Sequence, residues 1–342
     1  MAKILVTGGT GYIGSHTLVD LIEKGFEVVS IDNCSRSYKE SLEGVKKITG
    51  QAVKNYEIDI CDLEATRKVF EAEGQLDGII HFAAYKSVPE SIEHPLRYFR
   101  NNNGSLVNML ELTEEFKVPY FVFSSSCSVY GTPEKLPVTE ETPLQEAECA
   151  YARTKQMGEQ ILKDVAVDSK TKFIALRYFN PVGAHPSSEI GERSIDPPNN
   201  LVPIITETAI GVRPEMTVFG TDWDSRDGSC IRDFIHVCDI ASAHTAAFEY
   251  LSSNEGAPYF DIINLGTGNG VSVLEAISAF EKASGEQLNY KLGPKRDGDV
   301  GIIYSDCSKA EQVLGWQAQH EILSMMDTAW KWQKKLVNNF VD

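Results

Sequence analysis

Ser124, Ser125 and Ser126 close an apolar run in FVFSSSCSVYG (121–131), and YARTK (151–155) follows. Tyr151 and Lys155 are four residues apart, so on a helix they share one face. A free tyrosine titrates near ~10, too high for a base at neutral pH. A neighbouring ammonium, or another positive charge, favours the phenolate. A phenolate so placed can take the proton of a substrate hydroxyl. Ser126 ends a strand, and open parallel α/β sheets place their ligands at such strand ends. From there its hydroxyl can donate to the reacting oxygen and relay the proton. Taken alone, the tyrosine–lysine spacing equally describes a solvated surface pair. Its meaning depends on what lies upstream.

Upstream lies TGGTGYIG (7–14), directly after an apolar run and at the start of a helical pattern. Gly8, Gly11 and Gly14 are spaced by three, and Gly9-x-Gly11-x-x-Gly14 satisfies the dinucleotide fingerprint. Glycine allows the tight turn, lets the backbone approach a pyrophosphate, and lets helix and strand pack closely, while free N–H groups at the helix start bind the anion. Asp32 ends the next strand, 18 residues beyond Gly14 (32 minus 14), where an acid accepts from the adenosine ribose hydroxyls. A carboxylate there repels a 2′-phosphate, so NAD is predicted over NADP, although Arg36 nearby points the other way. The bland alternative is a structural glycine turn with a surface aspartate. An oxidised nicotinamide would supply both a hydride acceptor and a positive charge beside Tyr151.

The elements that must hold these residues alternate. Strands are predicted over 3–9, 27–32, 53–59, 76–84, 119–126, 172–180 and 259–266. Helices are predicted over 13–25, 63–73, 96–116, 150–167, 234–251, 272–284, 309–315 and 325–336. This alternation implies α/β architecture, a doubly wound parallel sheet covered on both faces. After Asn180 the texture changes. Residues 181–232 are rich in Gly, Pro, Asp and Ser with only short periodic pieces, and TDWDSRDGSC (221–230) reads as a loop. The expected division is a cofactor domain over 1–180, joined by parts of 234–266, and a smaller α/β substrate domain over 181–342. In the last helix at least one of Trp330 and Trp332 is expected in the core.

Composition narrows the partners. The 342 residues are 42% hydrophobic and 24% charged, which suits a globular chain with a sizeable core. A net charge of −17 disfavours a nucleic-acid partner, which needs a basic face, but local donors can still hold a small phosphorylated molecule. Seven scattered cysteines, without CxxC pairs or zinc spacing, predict a reduced compartment and no metal. His16 and His244 lie in helical stretches as ordinary side chains. No apolar run nears the ~18 residues of a membrane span, and MAKILVTGG runs straight into a strand rather than a signal peptide, so cytoplasmic residence is predicted.

Together, TGxxGxxG, the serine-bearing strand end and YxxxK resemble the extended short-chain dehydrogenase/reductase family. Further motifs narrow the resemblance to its UDP-glucose (UDP-galactose) 4-epimerase branch, along nearly the whole chain: GGTGYIGSHT, IIHFAAYKSVPES, FSSSCSVYG, YARTK, LRYFNPVGAHPS, PPNNLVP, RDFIHVCDIA and INLGTGNGVSV. The resemblance implies a Rossmann domain and residue roles. Gly8, Gly11, Tyr12, Ile13 and Gly14 would line the NAD pyrophosphate; Asp32 and Asn33 the adenosine ribose; Asp59 and Ile60 the adenine. Phe82, Ala83 and Lys86, with Asn101 nearby, would approach the middle and nicotinamide end of the cofactor, and Ser124 and Tyr178 would lie near it too. Ser126, Tyr151 and Lys155 would be catalytic, with Lys155 also bonding the nicotinamide ribose. Lys86, Ser126, Tyr151, Asn180, Asn200 and Leu201 would contact the UDP-sugar, and Phe219 would border the uracil. Arg232 and Arg296 would bind the diphosphate, Asp299 the uridine ribose, and Ile303 would lie beside the sugar. Arginine suits a diphosphate because its fork donates two parallel bonds. For Arg232 in CIRDF, a salt bridge to Asp233 or Asp239 is the structural alternative.

The activity so implied is interconversion of UDP-galactose and UDP-glucose with tightly bound NAD: C4 is oxidised to a 4-keto sugar, the sugar rotates, and hydride returns to the opposite face. Related 4,6-dehydratases usually carry an acidic pair after the serine or threonine, where this chain has Cys127 and Ser128. A net reductase favours NADPH, against Asp32, and a non-catalytic NAD sensor typically loses the tyrosine–lysine pair. In the resembled branch a large aromatic at the position of Ile303 excludes an N-acetyl group and a small residue admits it; isoleucine is intermediate, leaving UDP-GlcNAc and UDP-GalNAc as possible further substrates. The resemblance also implies a homodimer through helices near 96–116 and 150–167.

Overall fold

The computed structural model describes residues 1–256, 259–296 and 300–340. Seven parallel strands form its central sheet: β1 (Lys3–Thr7), β2 (Glu27–Ile31), β3 (Lys54–Tyr56), β4 (Gly78–His81), β5 (Tyr120–Ser124), β6 (Lys172–Tyr178) and, much later in the chain, β10 (Phe260–Leu265). Their order is β10-β6-β5-β4-β1-β2-β3. The order reverses at β1, between β2 and β4, and ligands bind beyond the strand ends at such a switch point. All seven strands are parallel, so both faces must be covered.

Alternation within single strands assigns the faces. Ile4 and Val6 join a cluster with Leu18, Val45, Ile240 and Phe248, covered by α1 (Tyr12–Glu23), α2 (Glu40–Thr49) and α9 (Val237–Ser253). Leu5 joins Phe70, Met109 and Leu162 on the opposite face, covered by α3 (Leu63–Glu73), α6 (Gly104–Glu115) and α7 (Ala150–Val165). The short helices α4 (Val88–Glu93) and α5 (Pro95–Tyr98) bridge β4 to α6.

The second lobe has its own core of Val202, Ile205, Phe234, Phe280, Met325 and Trp330. It is built from α8 (Leu201–Ala209), α10 (Val273–Ser284) and α12 (Ile322–Phe340). Two small sheets complete it. One carries β7 (Asn180–Val182), β9 (Ile231–His236), β11 (Gly270–Ser272) and β13 (Ile302–Ile303); the other pairs β8 (Met216–Phe219) with β12 (Tyr290–Gly293). The helix α11 (Ser308–Leu314) returns to the first lobe, where Ala310 and Trp316 pack in the cluster of Ile4 and Val6.

Several expectations need correction. The region 181–232 holds a nine-residue helix, α8, despite its irregular texture. Pro203 disguised it, but it sits in the first turn, where no N–H is needed. The helix Glu40–Thr49 was not expected, although Glu40 and Glu43 start it, Lys46 and Lys47 end it, and Gly50 closes it at φ 75°. The predicted helix 96–116 is interrupted by a π-helical turn, Phe99–Asn103, between α5 and α6. The strand predicted over 53–59 shrinks to Lys54–Tyr56 at the sheet edge. The expectation that at least one of Trp330 and Trp332 is in the core holds, for both are buried. The 221–230 loop is pinned by Arg226, which bonds the Glu275 carboxylate and donates to Gly270 O at 2.6 Å.

Candidate active site

The glycine turn joins β1 to α1. Gly8 adopts φ 74°, a left-handed conformation, and a Cβ there would lie 2.9 Å from the Ala83 nitrogen. A Cβ on Gly14 would lie 2.1 Å from Gly8 O, so only glycine lets α1 start this close to the strand end. Gly11 caps α1 with no side-chain bond, and no acid occupies its first turn. The N–H groups of Tyr12, Ile13 and Gly14 therefore begin a helix whose first turn carries no acid. This cradle fits a pyrophosphate.

Asp32 follows β2 directly. Its Oδ2 accepts from Thr10 N at 3.1 Å, and its Oδ1 accepts from Cys34 N at 2.9 Å and Ser37 Oγ at 3.1 Å. A carboxylate offers about four lone-pair sites, so Oδ2 keeps one for a ribose hydroxyl. Arg36, the contrary signal for a 2′-phosphate, is held between Glu90 at 2.5 Å and Asp196 at 2.7 Å. Asn33 and Asp59 order their own turns by accepting from Ser35 N and Cys61 N, and Ile60 is buried beside Asp59. The glycine turn, Asp32 with Asn33, and Asp59 with Ile60 follow the C-terminal ends of the adjacent strands β1, β2 and β3 at the switch point. Phe82 and Ala83 follow β4, both hydrogen-bonded through their N–H to Thr7.

Ser126, Tyr151, Lys155 and Tyr178 meet at the C-terminal edge of β5 and β6. A close approach of α7 makes this possible: a Cβ on Gly158 would lie 2.8 Å from the Phe123 ring. Buried positions Tyr151, Thr154, Lys155, Gly158, Glu159 and Leu162 form the inward stripe of α7. Lys155 Nζ donates to Ser124 O at 2.6 Å, stands 4.9 Å from the Phe123 ring centre, and lies 6.0 Å from that of Tyr151. Ser124 Oγ and Tyr178 OH are hydrogen-bonded at 2.6 Å. Ser126 caps the 3₁₀ turn Cys127–Tyr130, accepting from Ser128 N.

Electrostatics refine the simple expectation for Tyr151. Burial holds its phenol well above the ordinary value, Tyr178 adds to this, and the Ser126 hydroxyl pulls it partly back. Burial also lowers Lys155 to about 8, against an upward pull from Glu159. In the protein alone burial outweighs the pull of Ser126 on the phenol, and a positive charge brought against the ring would favour the phenolate. Beside them His81 is lowered to about 3 by burial and by the Lys155 charge, so it is neutral.

The second lobe faces this edge with scattered side chains. Asn180 Oδ1 is buried without a partner, the kind of orphan that a bound polar ligand satisfies. Arg232 Nη1 donates to Ile231 O at 2.9 Å and Gly301 O at 3.3 Å. Neither acid named as its alternative partner holds it. Asp233 is buried among Thr267, Gly268 and Ser305, and Asp239 pairs with His320. The charge of Arg232 is felt at Cys127, next to Ser126. Ile303 pairs in register with Arg232 and packs with Val129, Tyr130 and Phe179. Phe219 and Arg296 form a separate stack at 4.8 Å. Lys86 Nζ and Asn200 Nδ2 converge on Glu192 Oε1 at 3.2 and 2.9 Å, with Leu201 starting α8 beside them. Asp299 lies outside the described residues.

Other supporting residues escaped the sequence reading. Asn102, not Asn101, ties the Tyr85 backbone to Thr154 of α7, while Asn101 lies against Cys61. The triple NNN at 101–103 was a signal, because a π turn commonly marks a functional site. Glu159 and Arg177, buried behind Lys155, also went unremarked. A charged residue four after Lys155 was the available clue.

The fold and this site define a dinucleotide-binding enzyme of the short-chain dehydrogenase type. The chain belongs to the NAD dependent epimerase/dehydratase family, whose profile matches residues 4–266. It is 46% identical to UDP-glucose 4-epimerase of Bacillus subtilis over 98% of both chains. It is 43% identical to the crystal structure of UDP-glucose 4-epimerase from Bifidobacterium longum in complex with NAD+ and UDP, with TM-score 0.94, covering 99% of this chain and 100% of that one. The Stenotrophomonas maltophila enzyme, crystallised with NAD and formylated UDP-arabinopyranose, is 40% identical with TM-score 0.95 over 99% of each chain.

Proposed function

We propose that the chain interconverts UDP-galactose and UDP-glucose with tightly held NAD. The observation that carries this reading is the convergence of Tyr151, Ser126 and Lys155 on the strand edge beside the glycine cradle. Bound NAD would supply the hydride acceptor, and then the hydride donor, for sugar C4. Gly8, Gly11, Tyr12, Ile13 and Gly14 hold the pyrophosphate; Asp32, Asn33, Asp59 and Ile60 hold the adenosine; Phe82, Ala83, Lys86, Asn101, Ser124 and Tyr178 flank the rest. Tyr151 receives the proton of the C4 hydroxyl, Ser126 hydrogen-bonds the same oxygen, and Lys155 holds the ribose while its charge favours the phenolate. Arg232 and Arg296 anchor the diphosphate, with Asp299 on the uridine ribose, Phe219 on the uracil, and Asn180, Asn200 and Leu201 along the sugar–diphosphate. The 4-keto sugar swings about this anchor, and Tyr151 returns the proton on the other face.

Cys127 and Ser128 offer no acid–base pair for elimination. Burial pushes the Cys127 thiol up to about 12. Arg36, engaged by two acids, speaks against a 2′-phosphate and hence against a reductase. Ile303 leaves UDP-GlcNAc and UDP-GalNAc as secondary substrates; a similar structure, 38% identical, is a UDP-Glc/GlcNAc 4-epimerase from Campylobacter jejuni.

The division into a cofactor domain (1–180 with parts of 234–266) and a sugar domain (181–342) belongs to this reading. So does a homodimer. Leu96, Val107, Met157 and Val165 are exposed on α5, α6 and α7, an apolar face for a second copy. Cytoplasmic residence is consistent with seven unpaired cysteines. No described helix is long and apolar enough to cross a membrane.

The test supplies UDP-galactose and couples any UDP-glucose formed to its own dehydrogenase, with mass spectrometry for NAD in protein purified without added ligand. Turnover without net change in cofactor redox state is expected. A folded, NAD-bearing protein that forms no UDP-glucose would sink the reading.

A further inference from the structure

Resting on that reading, we propose that Glu159 is a positioning residue for the reaction: through Ser125 it locks the serine strand end, and its charge keeps Lys155 an ammonium. Glu159 lies four residues after Lys155 and eight after Tyr151, on the same buried stripe of α7. Its Oε1 accepts from Ser125 Oγ at 2.5 Å and from Arg177 Nε at 2.8 Å, and its Oε2 from Arg177 Nη2 at 2.6 Å. Arg177 Nη1 donates to Tyr130 OH at 2.9 Å, and that hydroxyl donates to Asn264 Oδ1 at 2.7 Å. The chain of bonds thus runs from α7 through β6 to the 3₁₀ turn that Ser126 caps, and ends on β10. Ser125 sits between the two residues it must place: Ser124, whose carbonyl holds Lys155, and Ser126, whose hydroxyl meets the substrate.

A buried ion pair is weak evidence for stability, because well-packed apolar residues often replace one without loss. Its orientation here supplies a chemical reason for it. The titratable and charged groups around Lys155 are Tyr151 and Glu159 on α7, His81 on β4, and Arg177 and Tyr178 on β6. His81 is neutral, and Arg177, turned to Glu159 and Tyr130, opposes Glu159 only weakly at Lys155. Glu159 is the acid whose field opposes burial at Lys155.

Glu159→Gln alone would leave Arg177 a buried unpaired cation and can fail to fold. The double variant Glu159→Gln/Arg177→Met removes both charges and leaves an amide oxygen to accept from Ser125. Lys155 is then followed by ¹³Cε-lysine NMR of the holoenzyme across pH, its signal assigned by its loss in Lys155→Met. The wild-type midpoint is expected below the ordinary lysine value, as burial lowers it to about 8 in the protein without cofactor. In the double variant it should fall by roughly one unit or more, a tenfold change in acid constant, and the alkaline limb of the kcat–pH profile should move down with it. Ser125→Ala should leave that midpoint in place and lower kcat roughly tenfold without raising KM. An unchanged Lys155 midpoint in the double variant overturns the proposal, and so does wild-type kcat in Ser125→Ala. The NMR titration needs no substrate, so it decides for or against Glu159 even if a wild type inert toward UDP-galactose overturned the functional reading.

Discussion

The two margins proposed for cofactor and sugar are built differently. The cofactor margin is mostly backbone: a glycine turn and a helix start, with the carboxylates of Asp32 and Asp59, carried on a seven-stranded sheet with apolar clusters on both faces. The sugar margin is mostly side chains. Asn180, Phe219, Arg232 and Ile303 stand on four different strands, the longest of six residues and the shortest of two, in small sheets. A backbone cradle has no rotamers to lose and suits a cofactor that stays. Separate side chains on short elements suit a ligand that must enter, turn and leave. In the proposed reaction one ligand is retained and the other exchanged, and the construction differs accordingly.

That contrast can be broken or sharpened at graded cost. Tyr151→Phe acts at the seam, where the margins meet. Loss of the proton acceptor should lower kcat by about 10²–10⁴ while NAD remains bound, read by the coupled assay and by cofactor mass. Near-normal turnover would remove Tyr151 from its role. Gly14→Val strikes only the cofactor margin. Its Cβ has no room beside Gly8 O, so it should cost about 3 kcal/mol in urea unfolding and release NAD. Retained NAD and an unmoved midpoint would contradict the cradle. Arg232→Lys strikes only the sugar margin. Exchanging the fork for a point charge should raise the KM for UDP-galactose by about 2 kcal/mol equivalent, with NAD content unchanged.

Acid should weaken both margins, the cofactor side more. His16 and His81 are lowered to about 3 and His244 to about 4, all chiefly by burial, and His236 at the base of the second lobe to about 3. Their folded values lie below the ordinary 6.5, so the unfolded chain takes up protons that the fold refuses. Stability is therefore fullest above pH 6.5 and falls on acidification, by roughly 1 kcal/mol per histidine at pH 5.5. Equal urea midpoints at pH 7 and 5.5 would refute this. The smallest effect is expected from Ile303→Tyr, which should reduce UDP-GlcNAc turnover relative to UDP-glucose by about 1 kcal/mol equivalent. An unchanged ratio would show that Ile303 does not bound the sugar pocket.

The sequence by itself determined what depends on neighbours in the chain. The glycine turn, Asp32 at its strand end, the Tyr151–Lys155 face and the alternating strands all follow from local sterics and periodicity, and the parallel sheet follows from them. Local reading failed where a local signal misled. Pro203 hid α8 because its position in the first turn removes its penalty, and the run 96–116 kept helical periodicity through a π turn. Only the tertiary structure decided what depends on residues far apart in sequence. It turned Arg36 away from a phosphate by giving it two acids, left Arg232 without either of its candidate carboxylates, and set Glu159 against Ser125, 34 residues earlier. It also decided how far burial raises Tyr151 and lowers Lys155. Charge and desolvation depend on what surrounds a group in space, and no spacing along the chain encodes that.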